Sequence, residues 1–407
     1  MTRSAMVTIV TLLLASLSAS ADDWPRFRGP NGTGVSEAKL PATWTDKDIA
    51  WKTDLPGSGH SSPVIAGGRV FVTAADAKTG TRFVVCMTLA DGKTAWTKKV
   101  DAKKYPSHAR NSFATSTPTA DAERVYCLWT TPEKVVVVAY THIGELAWEV
   151  DLGAYKGNHG GGVSPILVGG VLIVANDQDN GGSVIGLDAK TGKELWNVPR
   201  KGKNATYSTP CVFEAKGRPA EVVLTNWTLG VTSLDPKTGK QNWSAAVFDV
   251  ATQERAIASP IAAGDLVLVT SGFVTGKKEF VALRVGPDSA KEVWRRTREV
   301  AYMPTPLVKG ERVYLCSEQG FATCLELATG KELWQERLAG TFSASPVCAG
   351  NNIYCVSDKG DVFVLAAKDS FEQLARVPLG GPSQATPAIA GGKIVFRTDK
   401  SLIAVGK

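Results

Sequence analysis

Four histidines are the residues best suited to acid–base or metal chemistry in this chain of 407 residues, and no two have metal-ligand spacing. Three of them, His60, His108 and His159, stand three, ten and six residues before the proline of a Ser/Thr-Pro pair. If each pair begins the innermost strand of a repeated sheet, these imidazoles lie in the connections that enter those strands. The pattern predicts ligand contacts at one mouth of a central channel.

The equivalent connections elsewhere carry Tyr207, Arg255, Tyr302, Phe342 and Gln384. We expect a polar and aromatic funnel that recognises a ligand. Its candidate residues are His60, Arg110, Asn111, Asn158, His159, Tyr207, Arg255 and Tyr302. The alternative interpretation is the ordinary polarity of surface loops.

Motifs for catalysis are missing from the sequence, which contains no nucleophile elbow, phosphate-binding loop or zinc-protease helix. Residues 177–182 resemble a calcium loop superficially, but the later bidentate Glu is missing and Asn180-Gly181 is a turn signal. We therefore predict no catalytic residue and no metal site.

Seven cysteines lie mostly within apolar runs, which favours buried, small core residues. The odd number leaves at least one thiol unpaired, and a bridge from Cys355 to Cys316 or to Cys324 is the alternative.

The elements that would position these residues are repeats. A ten-residue unit of the form Leu-Asp-x-x-Thr-Gly-Lys-x-x-Trp occupies residues 187–196 and recurs with small changes at residues 234–243 and 325–334. Degenerate copies end at Trp96, Trp148 and Trp294. Thr-Gly-Lys is a hairpin turn, and the Trp that follows has an apolar face large enough to pack between adjacent sheets.

A second landmark is the Ser/Thr-Pro pair before each Trp, since Pro is tolerated at the first residue of a strand. The eight prolines are spaced by about 40 to 55 residues, the length of one four-stranded blade. They are Pro63, Pro118, Pro165, Pro210, Pro260, Pro306, Pro346 and Pro387.

Counting strands predicts an all-β, eight-bladed β-propeller of four-stranded antiparallel blades. Seven blades are complete, with Leu374 in the Trp position of the seventh. The C-terminus supplies only three strands, and residues 49–52, which include Trp51, resemble the missing fourth. We expect the ring to be closed by this N-terminal strand, which completes the C-terminal blade and removes an exposed sheet edge.

Export is predicted from the first residues. Residues 1–21 read as a signal peptide, with Arg3 before an apolar stretch and small residues before Asp22. Residues 22–48 form an extension that we expect to pack on the propeller through Trp24 and Phe27, and residues 49–407 form the propeller. The alternative for the extension is a flexible tail.

The formal charge of +7 is modest for this length, and no Lys/Arg cluster resembles a nucleic-acid patch. After the signal peptide, no stretch is long and apolar enough to span a bilayer. We expect a protein of the periplasm or cell envelope, or a secreted protein, with no nucleic-acid partner and no transmembrane segment.

The ten-residue unit resembles the repeat of the pyrroloquinoline-quinone (PQQ)-type propellers, and the resemblance covers residues 51–407. Residues 23–30 are similar to the start of exported PQQ-like repeat proteins known mainly from planctomycete-type bacteria. One branch of these propellers is the quinoprotein dehydrogenases. They carry adjacent cysteines over the cofactor, a Glu/Asn/Asp set for calcium and a catalytic Asp.

This chain has no Cys-Cys pair and no large insert between repeats, which departs from that branch. In size and export signal it is similar to the BamB-like branch, which binds a partner without a cofactor, although no lipidation Cys is present. The resemblance implies a monomeric, non-catalytic scaffold for a protein or envelope polymer, with no cofactor. The alternatives are a PQQ-dependent dehydrogenase and a propeller that binds a small molecule.

Overall fold

The protein is described by a computed structural model that covers residues 23–108, 110–157, 159–251, 255–273 and 276–407. The predicted signal peptide at residues 1–21 lies outside these ranges. The regular secondary structure of the described ranges consists of β-strands and two short 3-10 helices, Pro30–Gly32 and Asp46–Asp48. No helix among the described residues has the length and apolar character needed to cross a membrane.

Eight antiparallel sheets follow one another along the chain, and we number them as blades 1 to 8. Blade 1 contains β3 (Val64–Ala66), β4 (Arg69–Ala75), β5 (Arg82–Thr88) and β6 (Thr94–Val100), and blade 2 contains β7 (Thr119–Ala120), β8 (Arg124–Thr130), β9 (Val135–Thr141) and β10 (Leu146–Asp151). Blade 3 contains β11 (Ile166–Val168), β12 (Val171–Gln178), β13 (Gly181–Asp188) and β14 (Glu194–Pro199). Blade 4 contains β15 (Cys211–Phe213), β16 (Glu221–Asn226), β17 (Gly230–Leu234) and β18 (Gln241–Ala245).

Blade 5 contains β19 (Ile261–Ala263), β20 (Leu266–Gly272), β21 (Lys278–Val285) and β22 (Ala290–Arg296). Blade 6 contains β23 (Leu307–Lys309), β24 (Arg312–Cys316), β25 (Phe321–Glu326) and β26 (Glu332–Arg337). Blade 7 contains β27 (Val347–Ala349), β28 (Asn352–Val356), β29 (Asp361–Ala366) and β30 (Gln373–Pro378). The expectation of an eight-bladed propeller of four-stranded antiparallel blades is confirmed.

Blade 8 joins the two ends of the described chain. Its three inner strands are β31 (Ala388–Ala390), β32 (Lys393–Arg397) and β33 (Ser401–Gly406). Its outer strand is β2 (Ile49–Asp54), which pairs antiparallel with β33. A further short strand, β1 (Val35–Ser36), lies parallel to β27 and adds a fifth strand to blade 7.

The burial pattern of the strands explains the packing. The second strand of a blade is buried on both faces, as in β4, where six of seven residues are buried. The outer strand alternates instead, and in β10 Trp148 is the buried residue. Middle strands therefore pack between two neighbouring blades, and outer strands expose one face to solvent.

A β-bulge precedes the Trp position in all eight outer strands. Such a bulge re-aims the following side chain, here toward the neighbouring blade. In blade 7 the bulge falls at Leu374, so Ala375, which pairs with Val364, has the register of the tryptophans. The prediction that Leu374 occupies this position is therefore wrong, and Leu374 is 38% exposed.

Six tryptophans link consecutive blades through the indole N–H, which donates to a backbone carbonyl of the next blade at 2.8 to 3.1 Å. The donors are Trp51, Trp96, Trp148, Trp196, Trp294 and Trp334. The turn glycine of the next blade lies against the ring. A Cβ at Gly192 would stand 2.7 Å from the Trp148 indole, so the close approach requires glycine.

All seven cysteines are buried and free, and none of them forms a disulfide in the structure. The alternative of a bridge from Cys355 to Cys316 or to Cys324 does not occur. Burial raises the pKa of the Cys86 thiol to about 11 and that of Cys211 to about 12. These thiols therefore act as small core residues and are poor nucleophiles.

Candidate functional site

Eight hydroxyl side chains form a closed ring around the central channel, and we call it the hydroxyl ring. Its members directly precede the eight prolines and alternate strictly between Ser and Thr. They are Ser62, Thr117, Ser164, Thr209, Ser259, Thr305, Ser345 and Thr386. The backbone N–H of each member donates to the hydroxyl oxygen of the next, at 2.9 to 3.2 Å. Because the residue before Pro is held extended, every blade presents this N–H in the same way.

One end of the channel is crossed by the N-terminal residues 23–34, which we call the plug. Trp24 pairs with Ile65 of blade 1 through two backbone hydrogen bonds of 2.8 Å. On the far side, Asn31 exchanges two hydrogen bonds of 2.7 Å with the backbone of Val212 in blade 4. The plug therefore spans the channel, and Trp24 is 1% exposed.

Two arginines of the plug are buried without a carboxylate partner among the described residues. Arg26 donates to the carbonyl of Pro210, and Arg28 donates to those of Thr33 and Pro346. Desolvation lowers the pKa of Arg26 to about 10. Desolvation, and then the positive charge of Arg26, lowers the pKa of Arg28 to about 9. Both guanidinium groups stay cationic at neutral pH, so the plug places positive charge at the closed end of the channel.

A cavity of about 290 Å³ lies between the plug and the open mouth of the channel, and we keep the name funnel for it. Phe27 of the plug and all eight members of the hydroxyl ring line it. None of the described residues that line it is Asp or Glu. The volume is near the lower end for small-molecule sites, which begin at roughly 300 Å³.

The structure brings most of the predicted candidates together in this funnel. Those that line it are His60, Arg110, Asn111, His159, Tyr207, Arg255 and Tyr302, together with His108 and Gln384. Phe342 does not line it, because its ring is fully buried against Phe363 at 5.8 Å between centroids. Asn158 lies outside the described residues.

The connection between blades 1 and 2 contributes His108, Arg110 and Asn111 to the mouth of the funnel. Asn111 donates to the carbonyls of His159 and Gly161 at 2.5 and 3.2 Å, and the His108 ring lies 4.9 Å from that of His159. The Arg110 guanidinium reaches across to the sulfur of Met303 in the connection before blade 6, at 3.7 Å. Because a thioether is a weak acceptor, Arg110 has strong donor capacity to spare.

The second cation of the mouth is more firmly held. Arg255 donates to the carbonyl of Ala205 at 3.2 Å and lies 3.5 Å from the Asp179 carboxylate. Its guanidinium also stands 6.0 Å from the centre of the Tyr207 ring, within cation–π range. The orientation of the Arg255 guanidinium is therefore fixed, and its charge is partly neutralised by the Asp179 carboxylate.

Two histidines of the funnel, His60 and His159, contribute little charge near neutral pH. Desolvation, and then the nearby Arg397, lower the pKa of His60 to about 4. Desolvation, and then Arg255 and His108, lower the pKa of His159. Both of these imidazoles are neutral at pH 7, so neither adds to the positive charge of the arginines.

The lining residues that are not among the ligand contacts predicted from the sequence include the hydroxyl ring and Phe27. On its own, each Ser/Thr-Pro pair predicts only the start of a strand. The signal was nevertheless present, because Ser and Thr alternate without exception in front of the eight prolines. The funnel thus combines an uncompensated cation, a circle of hydroxyl groups and several aromatic rings, which suits a compact anion with several polar groups.

The family comparison covers nearly the whole propeller. The model described as outer membrane protein assembly factor BamB matches residues 42–113, 81–330 and 277–406. No curated protein matches the chain significantly.

Solved structures with this fold are similar at low sequence identity. BamB from Moraxella catarrhalis has a TM-score of 0.63 at 14% identity, covering 88% of this chain and 96% of that one. The quinohemoprotein alcohol dehydrogenase from Comamonas testosteroni has a TM-score of 0.72 at 14% identity, covering 95% and 80%. The computationally designed Ika8 protein has a TM-score of 0.60 at 12% identity, covering 88% and 99%.

At this sequence identity the structures show a shared fold alone. The family match rests on the sequence itself and extends over most of the chain. The chain therefore belongs to the family described as outer membrane protein assembly factor BamB.

Proposed function

We propose that this chain is a non-catalytic binding protein of the periplasm or cell envelope, and that its funnel receives an anionic group of the partner. The family description, an outer membrane protein assembly factor, supports a binding role in the envelope. One observation carries the proposal: the funnel presents Arg110 and Arg255, while none of its described lining residues is Asp or Glu.

Arg110 is the residue that an anion would engage first. Its guanidinium has five N–H donors, and its side-chain acceptor in the structure is the Met303 sulfur at 3.7 Å. A carboxylate or sulfate oxygen would replace this weak contact with charge-assisted hydrogen bonds. Arg255, fixed by Ala205 and Asp179, would supply a second, directed donor at the mouth.

The quinoprotein alternative requires a site for PQQ and calcium. The described residues contain no group of three or more His, Cys, Asp or Glu that could hold a metal ion. The funnel offers no described carboxylate, and no two cysteines are adjacent in the sequence. The residues present therefore do not fit the calcium–quinone set of the dehydrogenases, and we derive no reaction step from it.

Calorimetric titration of the mature protein with tetraglutamate, tetragalacturonate and tetralysine tests the proposal. We expect at least one of the two acidic probes to bind, tetralysine not to bind, and affinity to fall with added salt. In Arg110→Gln the affinity should fall by about tenfold or more, since a hydrogen bond to a charged group is lost. The matched control is Arg284→Gln, on the outer part of blade 5, which should bind like the wild type.

Two outcomes would contradict the proposal. The first is that neither acidic probe binds. The second is tight binding of PQQ with calcium together with dye reduction on alcohols or sugars, which would make the protein a dehydrogenase.

A further inference from the structure

The hydroxyl ring retains hydrogen-bonding capacity that the protein itself does not use. Each hydroxyl oxygen accepts one N–H bond from the neighbouring blade. Among the described residues, none of the eight hydroxyls donates to a protein acceptor. A hydroxyl has one donor and two acceptor positions, so each retains one O–H and one lone pair for a molecule in the funnel.

The hydroxyl ring can therefore both donate hydrogen bonds to a bound molecule and accept them from it, and its eight members lie at one level of the channel. Ser62 and Ser259 stand in blades 1 and 5, half the ring apart, and both contact the same cavity. Groups that only accept, such as carboxylates and backbone carbonyls, would use half of this capacity. Each hydroxyl of a sugar can donate and accept hydrogen bonds at once. The sugar hydroxyls also point outward around the pyranose, toward a surrounding circle of protein hydroxyls.

An aromatic ring of the plug lines the same cavity as this circle of polar groups. Phe27 is half-buried, lines the funnel and belongs to the plug that spans the channel. No other aromatic ring among the described residues stacks on it. An apolar platform with a polar surround matches a pyranose, which has a C–H face and a hydroxyl rim.

We infer that the anionic group of the partner is carried on a sugar ring, so that the funnel binds an acidic sugar of the uronate type. This inference rests on the proposed function and names the ligand class of the same site. The sugar ring packs on Phe27, its hydroxyls exchange hydrogen bonds with the hydroxyl ring, and its carboxylate faces Arg110. A cavity of about 290 Å³ is suited to a single sugar unit at the end of a chain.

The test compares three probes in calorimetric titrations of the mature protein: tetragalacturonate, its methyl ester and tetraglutamate. The methyl ester keeps the sugar ring and removes the charge, and tetraglutamate keeps the charge and removes the ring. We expect tetragalacturonate to bind at least about tenfold more tightly than either control, since each loses one set of contacts.

Two variants assign the contacts. Phe27→Leu keeps an apolar side chain and should weaken tetragalacturonate binding by about three- to tenfold, because the stacking surface is lost. Ser164→Ala removes one hydroxyl of the ring and should weaken it by a similar factor. Ser116→Ala, which removes a buried hydroxyl that does not line the funnel, is the matched control.

The outcomes separate this inference from the proposed function. If tetraglutamate binds as tightly as tetragalacturonate, or if Phe27→Leu leaves sugar binding unchanged, the sugar inference is overturned and the anion-binding function stands. If no acidic probe binds, both are overturned. If the methyl ester binds as well as the acid, the ligand is a neutral sugar, which overturns both the acidic inference and the role of Arg110.

Discussion

The indole N–H of Trp243 donates to the carboxylate of Glu221, in its own blade, at 2.7 Å. The six other tryptophans at this position donate to the following blade instead. In blade 4 the link forward is made by Arg218, which pairs with Glu221 and donates to the carbonyls of Gly286 and Pro287 in blade 5. A carboxylate and a guanidinium thus replace one direct hydrogen bond between blades.

Arg218→Met should destabilise the protein strongly, because it leaves the Glu221 carboxylate buried without its cation. The expected loss in the free energy of unfolding is about 3–5 kcal/mol, which urea denaturation at pH 7 would measure. The control is Arg284→Met, since the Arg284–Asp265 pair is about 60% exposed and should contribute less than about 1 kcal/mol. Equal losses in the two variants would contradict this account of blades 4 and 5.

Breaking the hydroxyl ring at one member should be measurable in stability. Thr305→Val keeps the shape of the side chain but leaves the buried N–H of Ser259 without its acceptor at 3.0 Å. We expect a loss of about 1–3 kcal/mol, the free energy of leaving a buried donor unpaired. Thr305→Ser keeps the hydroxyl and is the control. If both variants unfold at the same urea concentration, the hydrogen bond does not stabilise the ring.

The fold could be predicted from the sequence because its signals are local and repeated. Thr-Gly-Lys turns recur along the chain, and Ser/Thr-Pro pairs recur at intervals of about 40 to 55 residues. One missing strand at the C-terminus has its counterpart around Trp51. The error at Leu374 arose because a bulge shifts the register by one residue, and a shift of one residue exchanges the two faces of a strand. A bulge leaves no clear mark on the sequence where Trp is replaced.

The funnel was predicted in part. Histidines and arginines in the connections could be placed at one mouth because every blade enters its inner strand there. The equivalence failed at Phe342, whose ring turns into the core of blade 7. Phe27 could not be assigned to the channel either, since a segment without repeats carries no periodic signal of where it docks.

The plug depends on a close contact between Gly29 and the Trp24 ring. Gly29 has a φ of 70°, and a Cβ there would lie 2.5 Å from the indole, so Gly29→Ala must displace Trp24 from its buried position. Gly32 has a similar φ of 68°, but the nearest atom to a Cβ there is at the flexible end of Arg26, at 3.3 Å. Both variants carry the strain of a positive φ, and the difference between them isolates the clash.

We expect Gly29→Ala to lower the melting temperature clearly more than Gly32→Ala, and to open the N-terminal residues to limited proteolysis. A difference of about 2 kcal/mol or more in unfolding free energy corresponds to the overpacking of a buried ring. Equal melting temperatures and equal proteolysis would mean that the Trp24 contact does not hold the plug in place.

His60 should make the stability of the protein depend on pH in the acidic range. Burial, followed by the Arg397 charge, lowers the pKa of the folded-state imidazole to about 4, and the carboxylates of Asp399 and Asp358 only partly oppose this. The unfolded chain binds the proton near pH 6.5. Between these values the unfolded state carries a proton that the folded state does not, so stability is lost as the pH falls from about 6.5 to about 4.

The size of this effect follows from the difference between the two pKa values and amounts to about 3 kcal/mol at most. His60→Gln cannot take up the proton and should lose less stability between pH 7 and pH 4 than the wild type does. Urea denaturation of both proteins across this range measures the difference directly. If the two stability curves stay parallel, the His60 imidazole titrates alike in the folded and unfolded chains, and its burial in the funnel wall does not disfavour the charged form.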